Sequence, residues 1–168
     1  QRISTRHLPP ENTADITLVY MPMLDPLVLE TWQGPRYGAY SASPIYQSMR
    51  SQLPRGELYV GGSVIHPAAD LAVKMGAAQI TLFGADFAFP GDKTHAGWSD
   101  GDLGPQLGAA KHWVLDGHGQ RIKTQLNFRS YLCELERFIA GHPQVRFYNS
   151  SRAGAMIAGT DFHPEIAS

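Results

Sequence analysis

The residues whose types suggest chemistry lie in two short segments on either side of one predicted helix. The first is the turn Gly61-Gly62-Ser63, and the second begins at Asp86 and continues to Lys93, Thr94 and His95. Backbone N–H groups in a glycine turn that opens a helix favour an anion such as phosphate. A carboxylate, a cation, a hydroxyl and an imidazole together suit metal binding, phosphate neutralisation or proton transfer.

Each segment also has a purely structural interpretation. A Gly-Gly-Ser turn is equally typical of a strand-to-helix connection that binds nothing, and it is less specific than a full dinucleotide-binding fingerprint. Asp86 could cap a turn, and Lys93 could belong to a solvated loop. The position of Asp86 directly after a predicted strand favours function, because loops at strand ends carry many binding and catalytic residues.

The elements that position both segments form a predicted βαβ unit. One strand ends at Val60, Ser63 is the predicted N-cap of the following helix, and Gly76 is the predicted residue after its last turn. The second strand covers residues 79–83. A crossover connection brings both carboxyl ends to one edge of a parallel sheet, where open α/β sheets bind ligands. We therefore expect Ser63 and His95 to share a crevice.

The rest of the chain predicts an α/β fold, a Rossmann-like three-layer sandwich whose mostly parallel sheet has about five strands. This chain could hold only the carboxyl-terminal part of a complete domain of this kind. We expect an amino-terminal arm or linker at 1–14, the domain at 15–162 and a tail at 163–168. Its other predicted elements are strands at 15–21, 36–40, 145–148 and 155–157, helices at 26–32, 44–53 and 128–140, a hairpin of 112–115 with 120–123, and a mobile loop at 97–110. Asn127 is the predicted N-cap of the last helix.

Composition excludes several classes of function. The net charge of −1 gives no electrostatic case for a nucleic-acid or acidic-membrane partner. No apolar run reaches the ~18 residues of a membrane span, and nothing resembles a signal peptide, so we expect a cytoplasmic protein. One cysteine and seven histidines without compact zinc spacing argue against a structural zinc site. His66 is most simply a core or capping histidine, and His118 lies in an exposed turn.

Four motifs then carry a family resemblance. They are Gly62-Ser63 before an Ala/Leu-rich helix, Gly84-Ala85-Asp86 after a strand, the tetrapeptide Lys93-Thr94-His95-Ala96, and two later patterns at 116–124 and 149–160. Together they resemble the Maf flagellin glycosyltransferases, which share a domain with MptE-like 6-hydroxymethylpterin diphosphokinases. The resemblance spans roughly residues 57–162.

This resemblance implies transfer of a nonulosonic sugar, such as sialic or pseudaminic acid, from a CMP-activated donor to a protein hydroxyl. Flagellin is the kind of acceptor that it implies. The turn 61–63, with Lys93 and Thr94, would bind the nucleotide, while Asp86 and His95 would orient the donor or handle protons. The chain is more distantly similar to bacterial CMP-sialic acid sialyltransferases, whose histidine in a Gly-His turn makes His118 a candidate general base. The tyrosine pair of those enzymes is not reproduced, since Ala88 and Phe89 stand there.

Two alternatives stay open. One is a pyrophosphokinase that moves diphosphate from ATP to 6-hydroxymethyl-7,8-dihydropterin, with Mg²⁺ on Asp86; the sequence makes no other cofactor certain. The other is a non-catalytic binding or assembly domain of a longer protein. The family's earlier G-x-G-P-S turn, which forms half of the nucleotide pocket, has no counterpart before Asp15, and this departure supports the second alternative.

Overall fold

The computed structural model describes residues 12–92 and 110–163, and the chain divides into two compact units, Gln1–Val60 and Gly61–Ser168. Lys93, Thr94 and His95 lie outside the described residues, as do nearly all of the loop predicted at 97–110 and the end of the predicted tail. The division into an arm, one domain and a tail stays a prediction. No helix in the described ranges is both long and apolar enough to cross a membrane.

The first unit is built on a small parallel sheet. Its strands are β1 (Leu18–Tyr20), β2 (Arg36–Tyr40) and β3 (Gly56–Glu57), hydrogen-bonded in the order β1-β2-β3. The helices are α1 (Pro26–Thr31) and α2 (Gln47–Gln52), and a 3₁₀ turn at Pro44–Tyr46 leads into α2. The predicted strand at 36–40 is confirmed, whereas β1 is shorter than the predicted strand at 15–21.

Helix α1 begins where its sequence indicates. The carboxylate of Asp25 accepts a hydrogen bond from the Leu27 N–H at 3.0 Å, and Pro26 occupies the first helical position. This combination satisfies one of the free N–H groups of the first turn, while proline lacks the N–H that would otherwise be free. The predicted start of this helix is therefore confirmed.

The second unit has a parallel sheet, a hairpin and two longer helices. The sheet contains β4 (Gln79–Leu82), β7 (Arg146–Asn149) and β8 (Thr160–Phe162) in the order β4-β7-β8. The antiparallel hairpin pairs β5 (His112–Leu115) with β6 (Arg121–Thr124), as predicted within one residue. The helices are α3 (Ile65–Lys74) and α4 (Leu126–Ala140).

Three sequence expectations are wrong in detail. The N-cap of α3 is Val64 rather than Ser63, because the helical backbone conformation already begins at Val64, with φ −60° and ψ −23°. Helix α4 begins at Leu126, two residues before the predicted start, and its N-cap is Gln125 rather than Asn127. Residues 155–157 make only an isolated bridge from Ala155 to Asp116, and the last strand is β8 instead.

The predicted βαβ unit is also changed. Its first strand is only β3, which ends at Glu57 and pairs with β2, whereas β4 pairs with β7. The two strands thus belong to separately hydrogen-bonded sheets. The fold class is mixed α/β with small parallel sheets and several helices, and the three-layer Rossmann-like arrangement stays a prediction.

The core of the second unit lies where α4 packs on its sheet. The predicted apolar stripe of α4 is confirmed, since Leu132, Leu135, Phe138 and Ile139 are all buried. The Phe138 ring meets the buried Phe147 ring of β7 edge-on, with the centroids 6.3 Å apart. Edge-to-face pairs of this kind stabilise a core beyond the area that they bury.

Candidate functional site

The predicted carboxylate lies in a sharply turned loop at the carboxyl end of β4. Gly84 adopts a φ of 65°, and Phe87, one residue beyond Asp86, adopts a φ of 46°. A positive φ is unusual for a residue with a side chain and costs about 1–3 kcal/mol, so it persists only where the surroundings hold it. Such strain is often found at functional sites, so this loop is the best local candidate.

The hairpin holds this strained loop in place. The buried Thr124 hydroxyl of β6 donates a hydrogen bond to the Phe87 carbonyl at 2.6 Å, and the Phe89 N–H donates to the Lys123 carbonyl at 2.9 Å. Phe89 is itself buried and packs on the Phe128 ring of α4, with centroids 5.4 Å apart. The backbone on the carboxyl side of Asp86 is therefore fixed by contacts far away in the sequence.

Asp86 itself packs against the loop that follows β7. The Ala155 N–H donates to the Asp86 carbonyl at 2.7 Å. A Cβ atom at Gly154 would lie only 2.7 Å from both Cα and Oδ1 of Asp86, so the residue facing Asp86 must be glycine. This close packing leaves Asp86 partly buried, and the burial raises the pKa of its carboxyl group above the ordinary value.

The loop after β7 begins with a buried asparagine, which belongs to one of the sequence motifs but not to the predicted site. Asn149 is 2% exposed, and its Oδ1 accepts a hydrogen bond from the Ser151 N–H at 3.1 Å. The Ser151 hydroxyl accepts in turn from the Ala153 N–H at 3.2 Å. Two successive side-chain-to-backbone turns therefore shape this loop. The available signal was the polar residue at the end of a predicted strand.

The same loop also holds the turn that carries His118. Gly117 and Arg152 are joined by a hydrogen bond from the Gly117 N–H to the Arg152 carbonyl, 2.8 Å, and by one from the Arg152 guanidinium to the Gly117 carbonyl, 3.3 Å. The Asp116 carboxylate accepts from the N–H of His118 at 2.9 Å and closes the turn. The His118 side chain is exposed, as expected.

Residues 152–155 thus connect two of the predicted site segments. Arg152 is bonded to the turn of His118, and Gly154 and Ala155 contact Asp86. Asp86 follows the carboxyl end of β4, residues 152–155 follow that of β7, and His118 lies in the turn between β5 and β6. This arrangement places a half-buried carboxylate and the backbone that carries an imidazole around one loop, which we call the 149–155 loop.

The predicted nucleotide-binding turn is packed closely against α4. A Cβ atom at Gly61 would lie 2.7 Å from Cβ of Glu134, and one at Gly62 would overlap the Tyr131 ring. The fully buried His66 contacts Ser63 through Nδ1, with Ser63 N at 3.2 Å, and its Nε2 lies 3.0 Å from the Tyr131 carbonyl.

The hydrogen bonds of His66 bear on the phosphate hypothesis. Nδ1 also lies 2.9 Å from the Ser63 carbonyl, so the tautomer of His66 decides whether Nδ1 accepts from the Ser63 N–H or donates to the Ser63 carbonyl. In either state His66 is hydrogen-bonded to the backbone of Ser63 within the turn. Nucleotide binding by residues 61–63 stays a prediction.

The residues that the structure describes contain no group of three or more histidine, cysteine, aspartate or glutamate side chains that could hold a metal ion. Asp86 is the residue that the sequence assigned to Mg²⁺. Mg²⁺ commonly takes one or two carboxylates and completes its shell with substrate phosphates and water. A single carboxylate at a strand end therefore fits this metal when a phosphorylated substrate is bound.

Comparison with known proteins places the chain in one family. No curated protein and no solved structure matches it. The family model described as 6-hydroxymethylpterin diphosphokinase MptE-like matches residues 1–92, which are more than half of the sequence. The match includes the turn 61–63 and Asp86, and it extends further toward the amino terminus than the motifs that suggested the resemblance. The chain therefore belongs to the family described as 6-hydroxymethylpterin diphosphokinase MptE-like.

Proposed function

We propose that this protein is a transferase of the Maf type, which moves a nonulosonic sugar from a CMP-activated donor to a protein hydroxyl. The observation that carries the proposal is the partly buried Asp86 at the carboxyl end of β4, whose pKa is raised by burial. A carboxylate with a raised pKa is a stronger base, and general bases are tuned in this way. A hydroxyl acceptor needs such a base.

The proposed step balances as a substitution at the anomeric carbon of the sugar. The acceptor oxygen forms a bond to that carbon while the bond from the carbon to the phosphate oxygen of CMP breaks. The electron pair of the broken bond leaves with CMP, and the proton of the hydroxyl passes to the Asp86 carboxylate. Positioned general bases of this kind contribute typically about 10²–10⁴-fold to a rate.

The remaining site residues have supporting roles in this proposal. The turn 61–63, with Lys93 and Thr94, binds the nucleotide phosphate, and Lys93 neutralises the charge that develops on it. His95 orients the donor. His118 is the second candidate base, and its turn is bonded to the loop that contacts Asp86. The acceptor is a protein of the flagellin kind, and the reaction takes place in the cytoplasm.

A second candidate is favoured by the description of the matching family. A 6-hydroxymethyl-7,8-dihydropterin pyrophosphokinase would use ATP, and Asp86 would hold Mg²⁺. The metal would neutralise phosphate charge when bound. The raised pKa of Asp86 does not separate the two candidates, because a general base and a Mg²⁺ ligand both act in the charged form that burial disfavours.

Calorimetry separates the candidates. We expect the protein to bind CMP without metal, whereas a pyrophosphokinase would bind ATP only with Mg²⁺. Binding of neither nucleotide would instead support a non-catalytic binding or assembly domain.

The Asp86→Asn substitution tests the role of the carboxylate, because asparagine preserves its shape and removes its basicity. We expect turnover of a CMP-activated nonulosonic sugar to fall by about 10²-fold or more, while CMP affinity stays unchanged. Asp161→Asn is the matched control, since Asp161 is an exposed carboxylate on β8. Equal turnover in Asp86→Asn and wild type would refute the proposed base.

A further inference from the structure

We propose that Asn149 and Arg152 form a subsite for an oxyanion of the substrate, either the carboxylate of the sugar or the phosphate of the nucleotide. The inference rests on the proposed function, because it assumes that the substrate carries such a group. It assigns a binding role to the 149–155 loop, which the sequence patterns did not.

The first observation is a buried hydrogen-bond donor that has no acceptor. Oδ1 of Asn149 is identified by its bond from the Ser151 N–H, so the other end of the amide is the Nδ2 donor. In the described part of the chain this Nδ2 is buried and makes no hydrogen bond. An unsatisfied buried donor costs about 1–3 kcal/mol, so its retention calls for an explanation. An acceptor supplied by a ligand would satisfy it.

The second observation is a cation without a carboxylate partner. The Arg152 guanidinium stacks over the Phe162 ring, with its carbon 4.0 Å from the ring centroid, and bonds to the Gly117 carbonyl. Among residues 12–92 and 110–163, no carboxylate forms an ion pair with Arg152. Stacking and one hydrogen bond orient the group but leave its charge uncompensated, and guanidinium groups bind carboxylate and phosphate particularly well.

The sheet register places these two groups on the same face of the sheet. Asn149 of β7 is the register partner of Phe162 of β8, so their side chains leave the sheet on the same face. Arg152 stacks on Phe162, and the guanidinium therefore lies over the neighbour of Asn149. An amide donor and a cation on the same face of two neighbouring strands form a suitable pair for an oxyanion.

The proximity of Asp86 gives this subsite its place in the proposed reaction. Gly154 and Ala155 of the same loop contact Asp86, which is the candidate base. An anionic group held by the start of the loop would therefore be anchored near the carboxylate that accepts the proton. In the nonulosonic sugars the carboxylate is bonded to the anomeric carbon itself, so such an anchor would position the reacting centre.

Two substitutions test the subsite with the full chain. Asn149→Asp keeps the acceptor for the Ser151 N–H and removes the Nδ2 donor, and Arg152→Gln removes the charge. The matched controls are Asn127→Asp on α4 and Arg146→Gln at the amino end of β7, since both side chains are exposed. Binding of CMP, cytidine, N-acetylneuraminic acid and inorganic pyrophosphate would be measured by calorimetry, and folding by circular dichroism.

We expect both substitutions to weaken binding of an anionic probe by about 10- to 100-fold, the range expected for a lost hydrogen bond to a charged group. Both controls should bind as wild type, and cytidine should be unaffected. Weaker binding of N-acetylneuraminic acid by the variants identifies the sugar carboxylate as the bound group, whereas weaker binding of CMP or pyrophosphate identifies a phosphate. If Asn149→Asp does not fold, the exposed edge of the partly buried Arg152 makes Arg152→Gln the deciding variant.

Unchanged affinity in the folded variants, or no binding of any anionic probe by wild type, would overturn the subsite. Failure of the subsite can be distinguished from failure of the proposed function. Sugar transfer that depends on Asp86, together with wild-type binding by both variants, removes only the subsite. Anion binding that depends on Asn149 and Arg152, without sugar transfer, removes only the proposed reaction.

Discussion

Within the part of the chain that the structure describes, Asp86 is held by close packing rather than by an opposite charge. Gly154 packs so closely against Asp86 that a side chain at residue 154 would not fit, and the Ala155 N–H donates to the Asp86 carbonyl. The next residue, Phe87, has a strained backbone that is held by a hydrogen bond from the hairpin. Burial alone raises the pKa of its carboxyl group. The charge of Asp86 therefore destabilises the folded state, which is the cost expected for the proposed base.

The pH dependence of stability follows from this shift. Because the folded-state pKa lies above the ordinary value of 3.8, the folded protein binds more protons than the unfolded chain as the pH rises from that value through the raised pKa. The contribution of Asp86 to the free energy of unfolding therefore falls across this window. It is most favourable at lower pH and least favourable at neutral pH.

We predict that Asp86→Asn gains stability relative to wild type as the pH rises from about 4 to 7. Urea unfolding of both proteins at several pH values would measure the difference, with Asp161→Asn as the exposed control. A difference that is constant with pH, or that shrinks toward neutral pH, would show that burial does not raise this pKa.

Residues of the candidate site could be predicted from the sequence where a local pattern marks them, but not where their role depends on contacts with distant residues. Asp86 was predictable because a carboxylate after an apolar strand is a local pattern. Asn149 was recognised only as part of a motif, since its unpaired Nδ2 results from burial by residues distant in the sequence. Arg152 gave no signal, because its position over Phe162 depends on the register of β7 with β8.

At the scale of elements, the Gly61–Ser63 turn shows how a sequence motif can serve packing. The turn enters α3 and lies against α4, and the buried His66 connects the two through Ser63 and the Tyr131 carbonyl. The glycines are therefore required by close approach, whatever ligand the turn binds. Gly62 also adopts a φ of 95°, which a residue with a Cβ rarely does.

We predict that Gly62→Ala lowers the free energy of unfolding by about 1–3 kcal/mol, because the methyl group meets the Tyr131 ring and the backbone is strained. Gly141→Ala is the matched control. Gly141 has a φ of −76°, and the nearest atom to an added Cβ is 3.4 Å away. The control should be neutral or stabilising by about 0.4–1 kcal/mol. Equal effects of both substitutions in chemical denaturation would contradict the packing of this turn.

Elements with strong local signals were predicted well, and those that depend on pairing were not. Asp25 and Pro26 mark the start of α1, and the apolar stripe of α4 marks its buried face. The last strand is β8 rather than residues 155–157, since its place is decided by the parallel pairing of Phe147 with Thr160. Such pairing joins distant segments and leaves little local pattern.

At the scale of the whole molecule, the two units differ in how much apolar core they contain. Among the described residues, four buried hydrophobic side chains lie in the first unit and fourteen in the second. Local stability follows the number of buried apolar contacts. The second unit, with α4 at its centre, is therefore the more stable part of the chain.

We predict that amide hydrogen exchange is slowest in α4 and β7, and faster in β1, β2 and β3. The first unit contributes only Val28, Ala39, Tyr40 and Leu58 to the buried hydrophobic set. Native-state exchange read by mass spectrometry would rank these segments. Stronger protection of the strands of the first unit than of α4 would contradict this ranking.

The pairing of β4 with β7 has a consequence for synthesis of the protein. Gln79 is in register with Arg146, so the hairpin and α4 emerge from the ribosome between β4 and the strand that completes its ladder. A nascent chain arrested within α4 would hold an unpaired β4, which is open to wrong partners until translation continues. Chaperone demand during expression should therefore be greatest over this interval.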